Sequence, residues 1–211
     1  MTDDAPTRQL RLRDCADVQT GLAFSRKLEH AAVGTHQVLL GRHVQPGRPY
    51  RFQAGDRFLV IPERPPADYL ARSDDIVVTA RGSQNSAILL RQLASDVPTI
   101  VTSTFFRLRA RPVVRPGYLA WYLNQHPAQQ FIDSARTGTS SPILQKARLL
   151  ELPVAVPPLP VQQLVQERTE VLTAELELRR EALDRTLALH QALHQQLIDQ
   201  IHRHLYSEGQ P

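Results

Sequence analysis

Apolar and polar positions follow one rhythm through most of this chain and another through its last quarter. Residues 10–24 alternate apolar and polar side chains and run into Thr20-Gly21, which predicts a strand and a turn. Short β-rich runs come next, Val38-Leu39-Leu40 and Phe58-Leu59-Val60-Ile61, punctuated by Gly41, Pro46-Gly47 and Gly55. Residues 74–79 predict a strand with an apolar centre, closed by a turn over 81–86. Residues 87–90, 99–101 and 105–108 predict further strands. From Tyr118 to about Ala135 the period lengthens. Leu119, Tyr122, Leu123, Phe131 and Ile132 predict an amphipathic helix opened by Pro116-Gly117, with Pro127 starting a second turn. Residues 138–142 read as a loop, 143–150 fit neither period, and 152–156 predict a last strand.

After Pro160 neither Gly nor Pro occurs until about Leu205. Val161, Leu172, Leu183 and Leu205 keep an eleven-residue spacing, with His194 in the remaining place. Val165, Leu176, Leu187 and Ile198 repeat that spacing four residues on. The two rows have a period of about 3.67, which favours a nearly straight or slightly right-handed packing. A second stripe, Leu164, Val171, Leu178, Leu189, Leu193, Leu197 and Ile201, runs beside them. A helix of about 45 residues is about 68 Å long, more than one small domain covers. Such rows left in water leave an isolated helix unstable, so a partner helix is expected. The expected fold class is α+β. A mixed α/β domain over residues 1–158 precedes a long helix over 159–206, which forms an antiparallel coiled coil with a partner, and a short tail over 207–211.

Composition narrows the class only slightly. The chain has 211 residues, 42% of them hydrophobic, and a net charge of +4. No apolar run reaches the length of a membrane span. Met1-Thr2-Asp3-Asp4 lacks the apolar core of a signal peptide, and the single Cys15 fits a reducing compartment, so a cytoplasmic protein is expected. The charge is unevenly placed. Residues 1–160 hold 20 Lys+Arg against 13 Asp+Glu, a net of +7, while residues 161–211 hold 5 against 8, a net of −3. Basic excess in the domain and not in the rod suits a nucleic-acid surface. Only Lys27 and Lys146 are lysines, so genomic base composition is a second reading of the arginine richness.

Several segments resemble the specificity (S) subunits of Type I restriction-modification systems. The stretch Leu150 to Gln163, LELPVAVPPLPVQQ, resembles their "PPL-x-x-Q" junction between a DNA-reading domain and a spacer helix. LRLRDCADVQTGLAFSRKL is similar to the opening of a target recognition domain, and DIVVTARGSQNSAILL to its "G-D-h-h-h-x-x-R-G-S" block, with Asp74 where Gly is usual. PGYLAWYLNQHPAQQF resembles the "YL-x-x-x-L-N" helix that precedes a Gly-Thr/Ser loop. The resemblance covers roughly residues 10–200. It implies a non-catalytic protein that reads double-stranded DNA and docks an adenine-N6 methyltransferase (M) subunit and, where present, a restriction (R) subunit. It implies no cofactor on this chain, since S-adenosylmethionine would bind the partner methyltransferase. Family members usually carry two target recognition domains and two spacer helices, and this chain carries one of each. The resemblance therefore implies a half-subunit that pairs with itself or with a second, different half.

The residues supply their own candidates for DNA contact. Arg81, Gln84 and Asn85 are types suited to bidentate contacts with base edges. Ser83 and Ser86 suit phosphate or base. Ser25, Arg26, Lys27, Arg42, His43 and Arg48 form a second loop set, and Thr139, Ser140, Ser141 and Lys146 suit phosphates. A solvated turn is the competing reading at each position. Val161, Val165, Leu172, Leu176, Leu183, Leu187, His194, Ile198 and Leu205 are the expected dimer interface.

Catalytic signatures are missing. Arg64-Pro65-Pro66-Ala67 and Val156-Pro157-Pro158-Leu159 lack the amide or carboxylate and the aromatic of an Asn/Asp-Pro-Pro-Tyr motif. No glycine-rich nucleotide loop follows a strand. His190 and His194 share a helix face, but Gln191 stands where a zinc protease needs Glu, and no third ligand is evident. Trp121 and Tyr122 read as helix core. Two other functions stay open at this stage, a free-standing dimeric DNA-binding regulator and a coiled-coil scaffold without a DNA role. The first lacks a helix-turn-helix signature; the second leaves the basic domain unexplained.

Overall fold

A computed structural model describes residues 6–63, 66–81, 85–138 and 142–207, with the side chains of 204–207 set apart. The chain opens with strand β1 (Arg8–Arg11), one helical turn α1 (Leu12–Cys15) and strand β2 (Ala16–Thr20). Strands β3 (His36–Leu39), β4 (Tyr50–Arg51), β5 (Leu59–Val60), β6 (Ile76–Thr79), β7 (Ala87–Gln92), β8 (Thr99–Val101) and β9 (Phe105–Ala110) follow. Helices α2 (Pro116–Leu123) and α3 (His126–Ser134) lead to the short strands β10 (Arg136–Thr137) and β11 (Ile143–Leu144). Helix α4 (Lys146–Leu150), strand β12 (Pro153–Val156) and helix α5 (Leu159–Ser207) complete the described residues. The chain divides into two compact units, one ending at Glu167 and one beginning at Arg168.

A five-stranded sheet in the order β2-β9-β6-β7-β4 forms the centre of the first unit, beside a three-stranded sheet β5-β3-β8. Strand β6 shows why its sequence is apolar without alternation. Ile76 and Val78 enter one core with Leu89, Phe106 and Leu108, covered by Leu119, Leu123 and Ile132 of α2 and α3. Val77 enters the other, with Leu39, Ile88, Leu90, Val101 and Phe105. A strand buried on both faces needs apolar residues at successive positions. The small sheet closes over a third cluster, Leu22, Val38, Val60 and Ile100.

The first and last strands of the domain meet. Strand β1 pairs antiparallel with β12, Arg8 opposite Val156 and Arg11 opposite Pro153. Between β1 and β2 the predicted continuous strand is broken by α1. Leu12 and Cys15, three residues apart, are both fully buried, a spacing one helical turn satisfies and a strand does not. The predicted single helix over 118–135 is two helices, parted at Asn124-Gln125, with Pro127 in the first turn of the second, where its missing N–H costs nothing. The segment 143–150 that fitted neither period is a two-residue strand and a short helix in succession. Thr20 leads into Gly21, whose added Cβ would stand 2.1 Å from the Thr102 carbonyl oxygen, so only glycine lets the two backbones pass.

Two side-chain amides tie the helices into the domain, one to a strand and one to the segments that enter α2 and α5. Asn124 Nδ2 donates to the Ala87 carbonyl at 2.7 Å, and its Oδ1 accepts from the Ala87 N–H at 3.0 Å, so the amide completes the strand ladder from the end of α2. Gln162, 1% exposed, donates to the carbonyls of Pro157 (2.8 Å) and Val113 (3.2 Å) and accepts from the Arg115 N–H (2.8 Å). These are the Asn of the "YL-x-x-x-L-N" segment and the Gln of the "PPL-x-x-Q" junction, and each is a structural residue. The unit from Arg168 on is the remainder of α5, a helix with exposed apolar side chains such as Val171 (68%) and Leu178 (66%). No helix among the described residues is long and apolar enough to cross a membrane.

Candidate nucleic-acid interface

The turn over residues 102–104 joins the ends of three strands. Leu22 N donates to the Val101 carbonyl at 2.8 Å and Ser103 N to the Leu22 carbonyl at 2.9 Å, tying in the segment after β2. Thr102 Oγ1 donates to the Leu39 carbonyl at 3.2 Å, tying in the end of β3. Ala80 N donates to the Thr104 carbonyl at 2.8 Å, tying in the end of β6. Leu144 N donates in turn to the Ala80 carbonyl at 2.9 Å, and Arg81 bridges to Ile143. Four stretches far apart in sequence therefore leave from one edge of the domain. They carry Ser25-Arg26-Lys27, Arg42-His43, Arg81 and Lys146.

Ser25, Arg26, Lys27, Arg42, Arg81 and Lys146 are all exposed there. The loop after β2 is anchored by Phe24 and Leu28 against the third core cluster, which leaves the three residues between them outside. Ser25 Oγ donates to Glu63 at 2.8 Å, and Arg26 stands 3.7 Å from the same carboxylate. The Arg42 guanidinium lies over the Phe58 ring, 5.3 Å from its centroid, which holds a cation in place without neutralising it. His43 is half-buried, and its Nδ1 accepts from the Leu40 N–H at 3.3 Å. Burial lowers its pKa, with Asp56 acting upward and Arg42 downward. Arg48 is also half-buried, in a turn whose backbone closes from Arg48 N to the Gln45 carbonyl.

Asn85 departs from its expected role as a base reader. It is 2% exposed, its Nδ2 donates to the Thr79 carbonyl, and its own carbonyl accepts from Gln129 Nε2 at 3.1 Å. The side chain closes the turn onto the end of β6, the backbone carbonyl ties that turn to α3, and the amide is not offered to solvent. Ser83, Gln84, Thr139, Ser140 and Ser141 lie outside the described residues.

A cation cluster that the sequence did not mark lies on β9 and the residue after it. Arg109 Nε and Nη2 each bond one oxygen of Asp75 at 2.8 Å, and Asp75 is 2% exposed. Arg107 donates to the Leu70 carbonyl at 2.6 Å and to Gln19. Arg111 pairs with Asp17 at 2.6 Å. Alternate residues on an edge-adjacent strand point to one face, but no motif announces the partners that receive them, each more than thirty positions away. These arginines are committed within the domain. Among the described residues no group of His, Cys, Asp and Glu could hold a metal ion.

On α5, Val161 (44% exposed), Leu172 (59%), Leu176 (54%), Leu183 (58%), Leu187 (51%) and Ile198 (46%) present the two predicted rows, with His194 exposed among them. Val165 is the exception: it packs against the domain's own main core and is no free interface residue. Leu205 falls among the residues whose side chains are not described.

No family model matches the chain, and no curated protein sequence matches it. Solved structures do. A Type I restriction-modification S subunit from M. genitalium superposes with a TM-score of 0.55 at 14% identity, over 84% of this chain and 41% of that one. A chain from a structure of the assembly and conformational transition of the type I R-M system gives a TM-score of 0.62 at 15% identity, over 88% and 43%. The HsdS subunit from Thermoanaerobacter tengcongensis gives 0.55 at 18% identity, over 83% and 40%. The chain thus has the fold of these subunits and spans less than half of their length.

Proposed function

We propose that this chain is a half-length specificity subunit of a Type I or Type I-like restriction-modification system. It reads double-stranded DNA with the loops that leave the 102–104 turn, and it carries no catalytic site of its own. The observation that supports the reading best is the superposition over more than four fifths of this chain and about two fifths of each neighbour. One recognition domain and one long helix are half of what such a subunit carries. The exposed cations of the four converging loops agree with it, because phosphate contacts are made by Lys and Arg at the surface.

In this reading the exposed rows of α5 pair with a second copy, or with a different half-subunit, and the assembled pair docks an adenine-N6 methyltransferase and, where one exists, a restriction subunit. Two identical copies related by a two-fold axis read two identical half-sites in inverted order. S-adenosylmethionine belongs to the methyltransferase. The system works in the cytoplasm, where the DNA is.

The test is to express the chain with a Type I methyltransferase subunit from the same source in a host free of adenine methylation, and to map N6-methyladenine genome-wide. A bipartite motif with one modified adenine in each half, on opposite strands, is the expected result. An asymmetric motif replaces the homodimer by a pair of different halves. Methylation at no defined motif, with a methyltransferase shown to be active beside another specificity subunit, overturns the reading.

A further inference from the structure

Among the described residues up to Glu167, the two most exposed large apolar side chains are Val33 (86%) and Ile61 (67%). Both sit on one ledge. The segment over 30–35 lies along β5: Ala31 N donates to the Leu59 carbonyl at 2.9 Å and Thr35 N to the Val60 carbonyl at 3.0 Å. Gly34 makes that approach possible, since a Cβ there would fall 2.5 Å from Leu59 Cβ. Val33 is therefore held between two backbone anchors, and Ile61 directly follows the strand they grip. Isolated exposed apolar side chains are common. Two on a rigidly anchored ledge, the most exposed in the unit, call for an occupant.

The ledge's surroundings say which occupant. The Leu59 N–H donates to His30 Nδ1 at 3.1 Å. A nitrogen that accepts carries no proton, so the neutral ring is the tautomer with its proton on Nε2, the nitrogen left to outside partners. His30 lies 5.7 Å from the Phe58 ring, which also packs against the third core cluster and carries the Arg42 guanidinium over it. Arg26 and Lys27 stand exposed at the start of the same loop. Residues 22–63 hold six Lys and Arg against three Asp and Glu, besides three histidines. Apolar tips and an N–H donor on one ledge, with Lys27 and Arg42 exposed on the neighbouring loops, match the major groove of duplex DNA, where thymine presents a C5-methyl group beside hydrogen-bond acceptors and between phosphates.

We infer that the ledge over residues 30–35 and 59–61 is a base-reading element, with Val33 and Ile61 seated on thymine methyl groups and Arg26, Lys27 and Arg42 on flanking phosphates. This rests on the DNA-recognition reading above and assigns part of its specificity to side chains that no polar motif marks.

The experiment uses the full-length chain with its methyltransferase partner and a pool of duplexes with a randomised centre. The wild type is expected to enrich a site with an obligatory thymine in each half. Replacing that thymine by uracil removes only the methyl group and should weaken binding about fourfold, the factor that corresponds to about 0.8 kcal/mol for one buried methyl-sized group. The Val33→Ser/Ile61→Ser double variant should bind both duplexes alike and keep its general affinity for DNA. If the wild type enriches no site, DNA recognition itself fails and the ledge assignment with it. If it enriches a site but is indifferent to uracil at every thymine, DNA recognition stands and the ledge assignment is overturned. Unchanged site selection by the double variant, with loss of methyltransferase co-purification, overturns it too and gives the ledge to the protein partner.

Discussion

Arg109 grips Asp75 with two parallel hydrogen bonds of 2.8 Å each, one to either carboxylate oxygen. Asp75 precedes β6 and is 2% exposed, so this pair fastens the strand β9 to the turn that starts the central strand. The same carboxylate accepts from the Arg72 N–H at 2.9 Å. Arg107 stands farther away, at 4.0 Å, and its guanidinium serves Leu70 and Gln19. Arg109→Ala therefore leaves a buried charge with one backbone donor, and the expected loss of stability is about 3–5 kcal/mol. Arg109→Lys keeps the charge but not the fork and should recover only part of it. Urea unfolding measures both, and a loss below about 1 kcal/mol for the alanine variant contradicts this role.

Gln162 gives a second prediction. Its amide satisfies two carbonyls and one N–H, all within the first unit. Gln162→Glu keeps the size and the acceptor but cannot donate to Val113 and Pro157, while bringing a charge into a buried site. Gln162→Ala leaves all three groups without this partner. Each variant should lose about 1–3 kcal/mol, with glutamate recovering stability at low pH, where its carboxyl gains a proton to donate. Denaturant titration at two pH values reads the difference. Equal behaviour of Glu and Gln at neutral pH contradicts the donor role.

Stability should also respond to two histidines. Burial lowers the pKa of both His36 and His43. A lowered folded-state pKa means that the unfolded chain binds the proton more readily. The stabilisation is then complete above the ordinary histidine value of about 6.5 and declines as pH falls through it towards the folded-state value. Protonation of His43 also removes the acceptor that receives the Leu40 N–H. Unfolding free energy measured between about pH 7.5 and pH 5 should fall, and His43→Gln should make the fall shallower. A profile that rises over that interval reverses the assignment.

The exposed rows of α5 predict self-association. Within the helix, pairs such as Arg179–Glu175 and Arg185–Glu181 join residues four apart, and exposed pairs of this kind contribute only a few tenths of a kcal/mol each. They do not compensate for two rows of leucine in water. Light scattering should find a dimer at micromolar concentration, and Leu176→Asp with Leu187→Asp should convert it to a monomer by placing unpaired carboxylates in the seam. A wild-type monomer in the absence of any other half-subunit removes the homodimer.

What could be read from the sequence was what depends on near neighbours. Strand β8 lies at the residues that alternation and β-branching mark, Thr99–Val101, and Pro127 divides the two helices because a proline's effect is local. Asp74 stands where the resembled motif has glycine, and the backbone gives the reason: its φ is 66°, a left-handed value that Gly adopts freely and Asp tolerates better than most residues. Asn85 and Val165 were misplaced for one physical reason. Whether a polar side chain is offered to solvent, or an apolar one to a partner, depends on how the chain folds: Asn85 turns back onto the Thr79 carbonyl and is enclosed, and Val165 meets the main core. The ledge bearing Val33 escaped notice because a single valine in a polar loop has no period.

One buried atom gives this fold a reporter of its own opening. Cys15, the chain's single cysteine, is fully enclosed, and desolvation, with Asp14 adding to it, pushes its thiol up to about 11, so little of it is the reactive thiolate at neutral pH. It lies in the helical turn whose first N–H bonds the Leu152 carbonyl and whose last carbonyl accepts from Arg111. A thiol reagent reaches it once the packing around this turn opens. Where reclosing outpaces the reagent, the rate of modification therefore follows the population of the opened state, and the wild-type sequence needs no added cysteine to report it.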